Sequence, residues 1–132
     1  MKNWWVLLFV LFLVTACLPL SPKQQRALSP EEVVRMFYTS IQERDSRTAS
    51  ALVSQQWRAT YKHKELMSEL LRAYGEVTSI DVIALSIAVN GDKTQATYEI
   101  VLHVPGKEIR DAGLLTLVKE KNGWKITNPI LG

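Results

Sequence analysis

The stretch NGDKTQATYEIVLHVPG, residues 90–106, holds one complete strand between two turns. Asn90-Gly91-Asp92 is a hairpin signal, because these residue types accept the backbone angles that a tight turn between antiparallel strands requires. Pro105-Gly106 turns the chain again, with proline presetting the first turn position and glycine admitting positive φ at the second. Between them Thr94 to Val104 alternates. Ala96, Tyr98, Ile100, Leu102 and Val104 fall on one face, and Gln95, Thr97, Glu99 and His103 on the other. A period of two with one apolar face is the pattern of a half-buried strand.

Working outward, Glu76 to Val89 is rich in β-branched residues and forms a strand before the first turn. Lys107 to Lys119 forms a third strand, Lys121-Asn122-Gly123 a third turn, and Trp124 to Thr127 a short last strand. Tight turns between successive strands predict an antiparallel meander. The Asn90-Gly91 turn sets Ile83, Leu85 and Ile87 on the face of Ala96, Tyr98 and Ile100. A two-residue turn at Pro105-Gly106 adds Ile109 and Asp111 to that face. A three-residue loop at Lys121 to Gly123 pairs Ile126 with Val118, which has the opposite parity. A one-residue shift is therefore expected in the third strand, and Ala112-Gly113 is the expected β-bulge.

Upstream the period changes to that of helices. Ser29-Pro30-Glu31-Glu32 combines an N-cap serine, a proline at the first helical position and a glutamate three residues after the cap. Val33, Val34, Phe37, Tyr38 and Ile41 then share one face. Asp45-Ser46 opens a short helix that buries Ala49, Leu52 and Val53. From Gln55 to Tyr74 the pattern is helical again, with Trp57 and Tyr61 four apart and Leu66, Met67, Leu70, Leu71 and Tyr74 in a stripe, stopped by Gly75. Lys62-His63-Lys64 reads as a solvated break between two helical segments. The stripe is expected in the core, with a partner groove as the alternative. Helices first and strands second give an α+β domain with the helices packed on one face of the sheet.

The N-terminus carries a different message. One basic residue, Lys2, precedes an apolar run from Trp4 to Val14. At about 1.5 Å per residue this run is too short to span a hydrocarbon core of about 30 Å, and it has the layout of an export signal. A retained signal anchor is the alternative. Val14-Thr15-Ala16-Cys17 resembles the lipobox of bacterial lipoproteins. The resemblance implies cleavage between Ala16 and Cys17 and a diacylglyceryl thioether on Cys17; an ordinary secretory cut after Ala16 remains the other possibility. Two or three acyl chains hold a protein stably at a membrane, at about 0.8 kcal/mol per buried methylene. Residues 1–16 are thus expected to be a lipoprotein signal peptide, 17–28 the lipidated cysteine and a flexible tether, and 29–132 the domain. Pro19 and Pro22 keep the tether from forming regular helix. Family sorting rules imply the periplasmic side of the outer membrane where the cell has two membranes. Cys17 is the single cysteine, so no intrachain disulfide forms. Beyond residue 28 the charges nearly balance, which together with export argues against nucleic acid as a partner.

The helix order, the Asp45 start and the meander ending in Leu117-Val118-Lys119-Glu120 and Gly123-Trp124-Lys125-Ile126 resemble the nuclear-transport-factor-2-like, or cystatin-like, cone fold. The similarity is greatest to its lipid-anchored bacterial members. It implies a curved four-stranded meander around a hollow, with Tyr38, Tyr98, Ile100 and Asp111 as pocket-lining candidates. That superfamily includes isomerases, dehydratases, binding proteins and assembly factors, so the fold does not choose among them. An isomerase needs a general base facing an oxyanion-stabilising acid. In the register above Tyr98, Asp111 and Asp81 share a face, with the two carboxylates about 12 Å apart, too far for a shared proton. No catalytic residue is assigned, no cofactor is implied, and no metal-ligand set stands out; His103 falls on the polar face beside Glu99. The expected role is a non-catalytic module, anchored through acylated Cys17, that binds a small apolar ligand or an envelope protein. An isomerase- or dehydratase-like enzyme and a structural assembly subunit are the alternatives, and a homodimer through the sheet is a further expected association.

Overall fold

The computed structural model describes residues 27–129; the signal segment 1–16 with Ala16, Cys17 and the tether to residue 26 lie outside the described residues. Helix α1 spans Pro30–Gln42 and begins with the expected capping box. Glu32 N–H donates to Ser29 Oγ at 3.2 Å, and Ser29 N–H donates to Glu32 Oε1 at 3.3 Å. Its apolar face, Val33, Val34, Phe37, Tyr38 and Ile41, is buried. Helix α2, Ser46–Leu52, is capped by Asp45. The Thr48 hydroxyl donates to that carboxylate at 2.6 Å and the Thr48 N–H at 3.2 Å, and these bonds hold the Asp45 carboxyl below its usual range.

The helical region after Gln55 divides as the Lys62-His63-Lys64 signal suggests. Helix α3 spans Gln55–Thr60 and α4 spans His63–Leu70. The second segment stops at Leu70 rather than Tyr74, and a turn closes on Gly75 N–H donating to Leu71 O at 2.8 Å. Gly75 has φ +67°, which accounts for glycine there. Leu66, Met67, Leu70 and Leu71 are buried in the core, as the core assignment of the stripe expected.

Four strands follow: β1 Ser79–Asn90, β2 Lys93–Val104, β3 Lys107–Glu120 and β4 Gly123–Ile126, paired antiparallel in the order β1-β2-β3-β4. The helices cover one face, and the two sets of buried side chains form one core. The fold class is the expected α+β meander.

Register departs from expectation in three linked ways. First, β2 and β3 pair without interruption from Lys93↔Val118 to Val104↔Lys107, so Ala112-Gly113 is not a bulge. Second, Glu120 pairs with Gly123, leaving a two-residue turn at Lys121-Asn122. Gly123 takes a ladder position instead of a loop position, and Ile126 therefore faces Leu117, not Val118. The parity conflict disappears. Third, the irregularity lies in β1, where Val82 pairs with Ile100 and Ala84 with Glu99, leaving Ile83 as the extra residue. Ile83 is consequently 50% exposed, and Val82 takes its expected place against the core. The same shift puts Asp81 opposite Val101, on the outer face.

The two edges of the sheet are treated differently. Beside β4, Val53 makes a parallel bridge to Ile126, and Ser54 N–H donates to Ile126 O at 2.9 Å. Helix α3 then clamps the corner: Trp57 Nε1–H donates to Thr127 O at 2.8 Å, and Arg58 Nη2 pairs with Glu120 Oε1 at 3.0 Å. Lys125 Nζ and Arg58 Nη1 donate to the Ala51 and Val53 carbonyls. These bonds satisfy carbonyls that the end of α2 leaves unpaired.

Candidate functional site

Tyr98, in the middle of β2, points to the helix side and pairs with Gly113 on β3. A Cβ added at Gly113 would lie 2.9 Å from the Tyr98 hydroxyl oxygen and 3.2 Å from its Cζ. Glycine is thus needed because the phenol ring crosses the strand at that point. Laid in that groove, Tyr98 Oη–H donates to Asp111 Oδ2 at 3.3 Å, two residues from Gly113 along β3. Tyr38 comes down from α1, its ring centroid 6.0 Å from that of Tyr98 and tilted by 54°.

Of the four pocket-lining candidates, Tyr98 and Asp111 are partly exposed and bonded to one another. Tyr38 is 2% exposed and Ile100 is fully buried opposite Asp111. Tyr74 joins them. Burial raises its phenol pKa, with the Asp111 charge adding to the effect. Reading the stripe as one long helix gave Tyr74 only a packing role. The turn after Leu70 is what brings it toward the same carboxylate.

Electrostatically the cluster is three phenols around one carboxylate. Burial, then the Asp111 charge and hydrogen bond, push Tyr98 up to about 12. Burial pushes Tyr38 higher still, with Tyr98 and Asp111 contributing. All three phenols therefore keep their protons across the physiological range and serve as hydrogen-bond donors. The second carboxylate expected on this face is absent from it. Asp81 stands on the outer face, its Oδ2 2.8 Å from His103 Nε2, while His103 Nδ1 lies 3.5 Å from Glu108 Oε1. The one-residue bulge at Ile83 is the cause. Among the described residues no group of three His, Cys, Asp or Glu is placed to hold a metal ion.

Surface depressions lie elsewhere among the described residues. One of about 620 Å³ is lined by Arg44, Lys64, Met67, Leu71 and Arg72, and one of about 530 Å³ by Arg58, Tyr61, Lys62 and Lys64. Arg44, at φ +57°, donates to Val77 O at 3.1 Å, tying the α1–α2 corner to the approach to β1.

Residues 29–128 match the family described as the NTF2-like N-terminal transpeptidase domain. No curated protein matches the chain. Among solved structures, a SEC-C motif containing protein from Rhodopseudomonas palustris superposes with TM-score 0.62 at 15% identity, covering 80% of this chain and 81% of that one. A provisionally assigned calcium/calmodulin-dependent protein kinase type II association domain from Thiobacillus denitrificans gives 0.58 at 15% identity, covering 76% and 91%. A provisionally assigned ketosteroid isomerase from Shewanella frigidimarina gives 0.51 at 20% identity, covering 72% and 87%. At such identities the likeness is one of fold alone.

Proposed function

The chain belongs to the family of NTF2-like N-terminal transpeptidase domains, and from that premise we propose that it works as an exported, lipid-anchored binding module. The ligand is a small, mostly apolar molecule carrying one hydrogen-bonding group, or an envelope protein presenting such a group. One observation carries this reading: Tyr98 is laid over Gly113 and bonded to Asp111 on an otherwise apolar inner face, with Tyr38 packed beside it. A polar spot set in apolar surroundings orients a ligand whose remaining surface is apolar.

The same spot supports binding better than proton transfer. Its phenols hold their protons, and its carboxylate already accepts from Tyr98. With Asp81 on the opposite face, the second carboxylate expected across the cluster as a base is not there among the described residues. The isomerase- or dehydratase-like alternative draws on the Tyr98–Asp111 pair and on the ketosteroid isomerase neighbour. It needs Asp111 to act as the base after exchanging Tyr98 for substrate. A structural assembly subunit differs from the binding module only in its partner.

Anchoring is supported by the Val14-Thr15-Ala16-Cys17 motif at the end of the apolar run. Protein purified from membranes should begin at Cys17 and carry diacylglyceryl mass; a bare sulfur or an upstream start would overturn the anchor. Native mass spectrometry of the same preparation, with Asp111→Asn and Tyr98→Phe alongside, tests the ligand. A co-purifying small molecule or envelope protein, lost in both variants, is the expected result. Wild-type protein that carries neither, or a companion retained equally by both variants, would overturn the binding role of the cluster. Turnover of that small molecule by wild type and not by Asp111→Asn would replace binding with catalysis.

A further inference from the structure

The chain enters the domain at one end of the sheet, and that end is basic. Leu28 packs on the core and, with Val33, Met36, Arg47, Leu52 and Trp124, lines a depression of about 390 Å³ between α1, α2 and the start of β4. The β1–β2 and β3–β4 turns close the same end, where Lys119 N–H donates to Asp92 O at 3.2 Å. Lys93, Lys119 and Lys121 are exposed there, and among the described residues none of them has an ion-pair partner. Most nearby acids are already engaged. Glu31 pairs with Arg35 at 3.2 Å, Glu32 caps α1, Asp45 caps α2 and Glu120 pairs with Arg58, which leaves Asp92 open. Around Pro105-Gly106, at the opposite end, cations and acids meet instead: Arg110 lies 3.0 Å from Glu99, and His103 sits between Asp81 and Glu108.

Trp124 gives the basic end its second property. Its ring is half-buried, with Lys119 Nζ 5.9 Å from the centroid. Trp57 donates its indole N–H to Thr127 O, whereas the N–H of Trp124 makes no hydrogen bond among the described residues. Met36, on the same depression, is 39% exposed. An amphipathic ring with an open donor, flanked by lysines and a thioether, fits the headgroup layer of a bilayer. There the ring meets acyl chains, and the N–H and ammonium groups meet phosphates.

The tether names the occupant, on the premise of the lipid anchor proposed above. From Cys17 to Leu28 the chain reaches at most about 40 Å at full extension. Lipid is thus within reach, but surface charge attracts only within a Debye length of about 8 Å. Tether length therefore leaves orientation free, and the chemistry of the faces sets it. The end that the tether joins is also the end with unpaired lysines and the open indole. We infer that the rim formed by Met36, Arg47, Lys119, Lys121 and Trp124 rests on the anionic bilayer that holds Cys17. Asp111 pairs with Ile100, in the half of the ladder nearer Pro105-Gly106. This pose keeps the Tyr98–Asp111 pair away from lipid.

The test reconstitutes the full chain, purified from membranes, into vesicles of brominated phosphatidylcholine with and without phosphatidylglycerol. Tryptophan quenching is read for wild type, Trp124→Phe, the double variant Lys119→Glu with Lys121→Glu, and the far-end control Lys107→Glu. The quenching that wild type shows and Trp124→Phe lacks belongs to Trp124. It should be about twofold or more stronger with phosphatidylglycerol, fall to the level without it in the double variant, and persist in Lys107→Glu. Should Trp124→Phe fail to fold by circular dichroism, hydrogen exchange of the 121–123 turn in the same vesicles decides. It should slow with phosphatidylglycerol in wild type and not in the double variant. Quenching or exchange indifferent to phosphatidylglycerol, or a double variant that behaves as wild type, would overturn the docked face. The intact mass of the same preparation separates the two readings: acylated Cys17 with such indifference overturns the face alone, whereas a bare Cys17 overturns the anchor and, with it, the occupant named here.

Discussion

Gly113 stands opposite Tyr98 in the β2–β3 ladder, and the phenol fills the space that a side chain at Gly113 would need. Gly113→Ala should therefore tilt the ring, lengthen the Tyr98–Asp111 hydrogen bond and destabilise the domain by about 1–3 kcal/mol, as overpacking does. Urea denaturation measures the loss. Tyr98→Phe removes the hydroxyl that the new methyl would approach most closely. The double variant should accordingly fall short of the sum of the two single losses; strict additivity would mean that the ring does not lie where the contact places it.

Tyr98 also makes stability depend on alkaline pH. Its folded pKa is raised to about 12 from the ordinary 10 by burial and by Asp111. A raised value means that the folded state holds the proton more tightly. Its contribution is fully present below pH 10 and is lost as pH rises through about 12. Denaturation midpoints measured from pH 9 to 12 should fall more steeply for wild type than for Tyr98→Phe. The phenolate absorbance that wild type shows and Tyr98→Phe lacks should appear at higher pH than that of free tyrosine.

Much of this architecture can be read along the chain, and the places where it cannot share one cause. The Ser29 cap, the Asp45 cap and the alternation from Thr94 to Val104 depend on neighbours a few residues away, and all of them appear in the structure as expected. The Ile83 bulge does not depend on neighbours alone. Val82 and Ile83 are nearly equivalent as β-branched residues, and the choice of which faces the core is made by the helices packed above. Gly123 can serve equally as a loop residue or as the first residue of β4, and that ambiguity moved the expected bulge to Ala112-Gly113. Asp81 follows the bulge, so the error at Ile83 alone placed a second carboxylate at the site. Tyr74 was obscured differently, by a helical stripe that runs on in sequence after the helix has ended at Leu70.

Arg58 and Glu120 hold the covered edge. Burial works to raise the Glu120 carboxyl, but the Gln55 N–H and Arg58 outweigh it and keep it below the usual range. A depressed pKa stabilises above the ordinary carboxylate value and ceases to as pH falls through the folded one. Glu120→Gln should flatten the acid limb of the stability profile below about pH 4.5 while changing the neutral value by only about 1 kcal/mol, because the pair is partly open to solvent. An acid limb identical to wild type would show that α3 is held to the sheet by the Trp57–Thr127 bond and packing alone.

The register of β1 can be tested through two isoleucines. Ile100 is fully buried opposite Asp111, whereas Ile83 is the half-exposed extra residue. Truncating a buried isoleucine loses transfer free energy and leaves a cavity, so Ile100→Ala should cost about 2–5 kcal/mol. Ile83→Ser removes little buried surface and should change stability by no more than about 0.5 kcal/mol. Had Ile83 faced the core, as simple alternation from Leu85 and Ile87 suggests, its loss would rival that of Ile100, and Val82 would be the tolerant position. Val82→Ala measured beside them separates the two registers: it should cost more than Ile83→Ser, and the reverse order would return Asp81 to the inner face and give the site its second carboxylate.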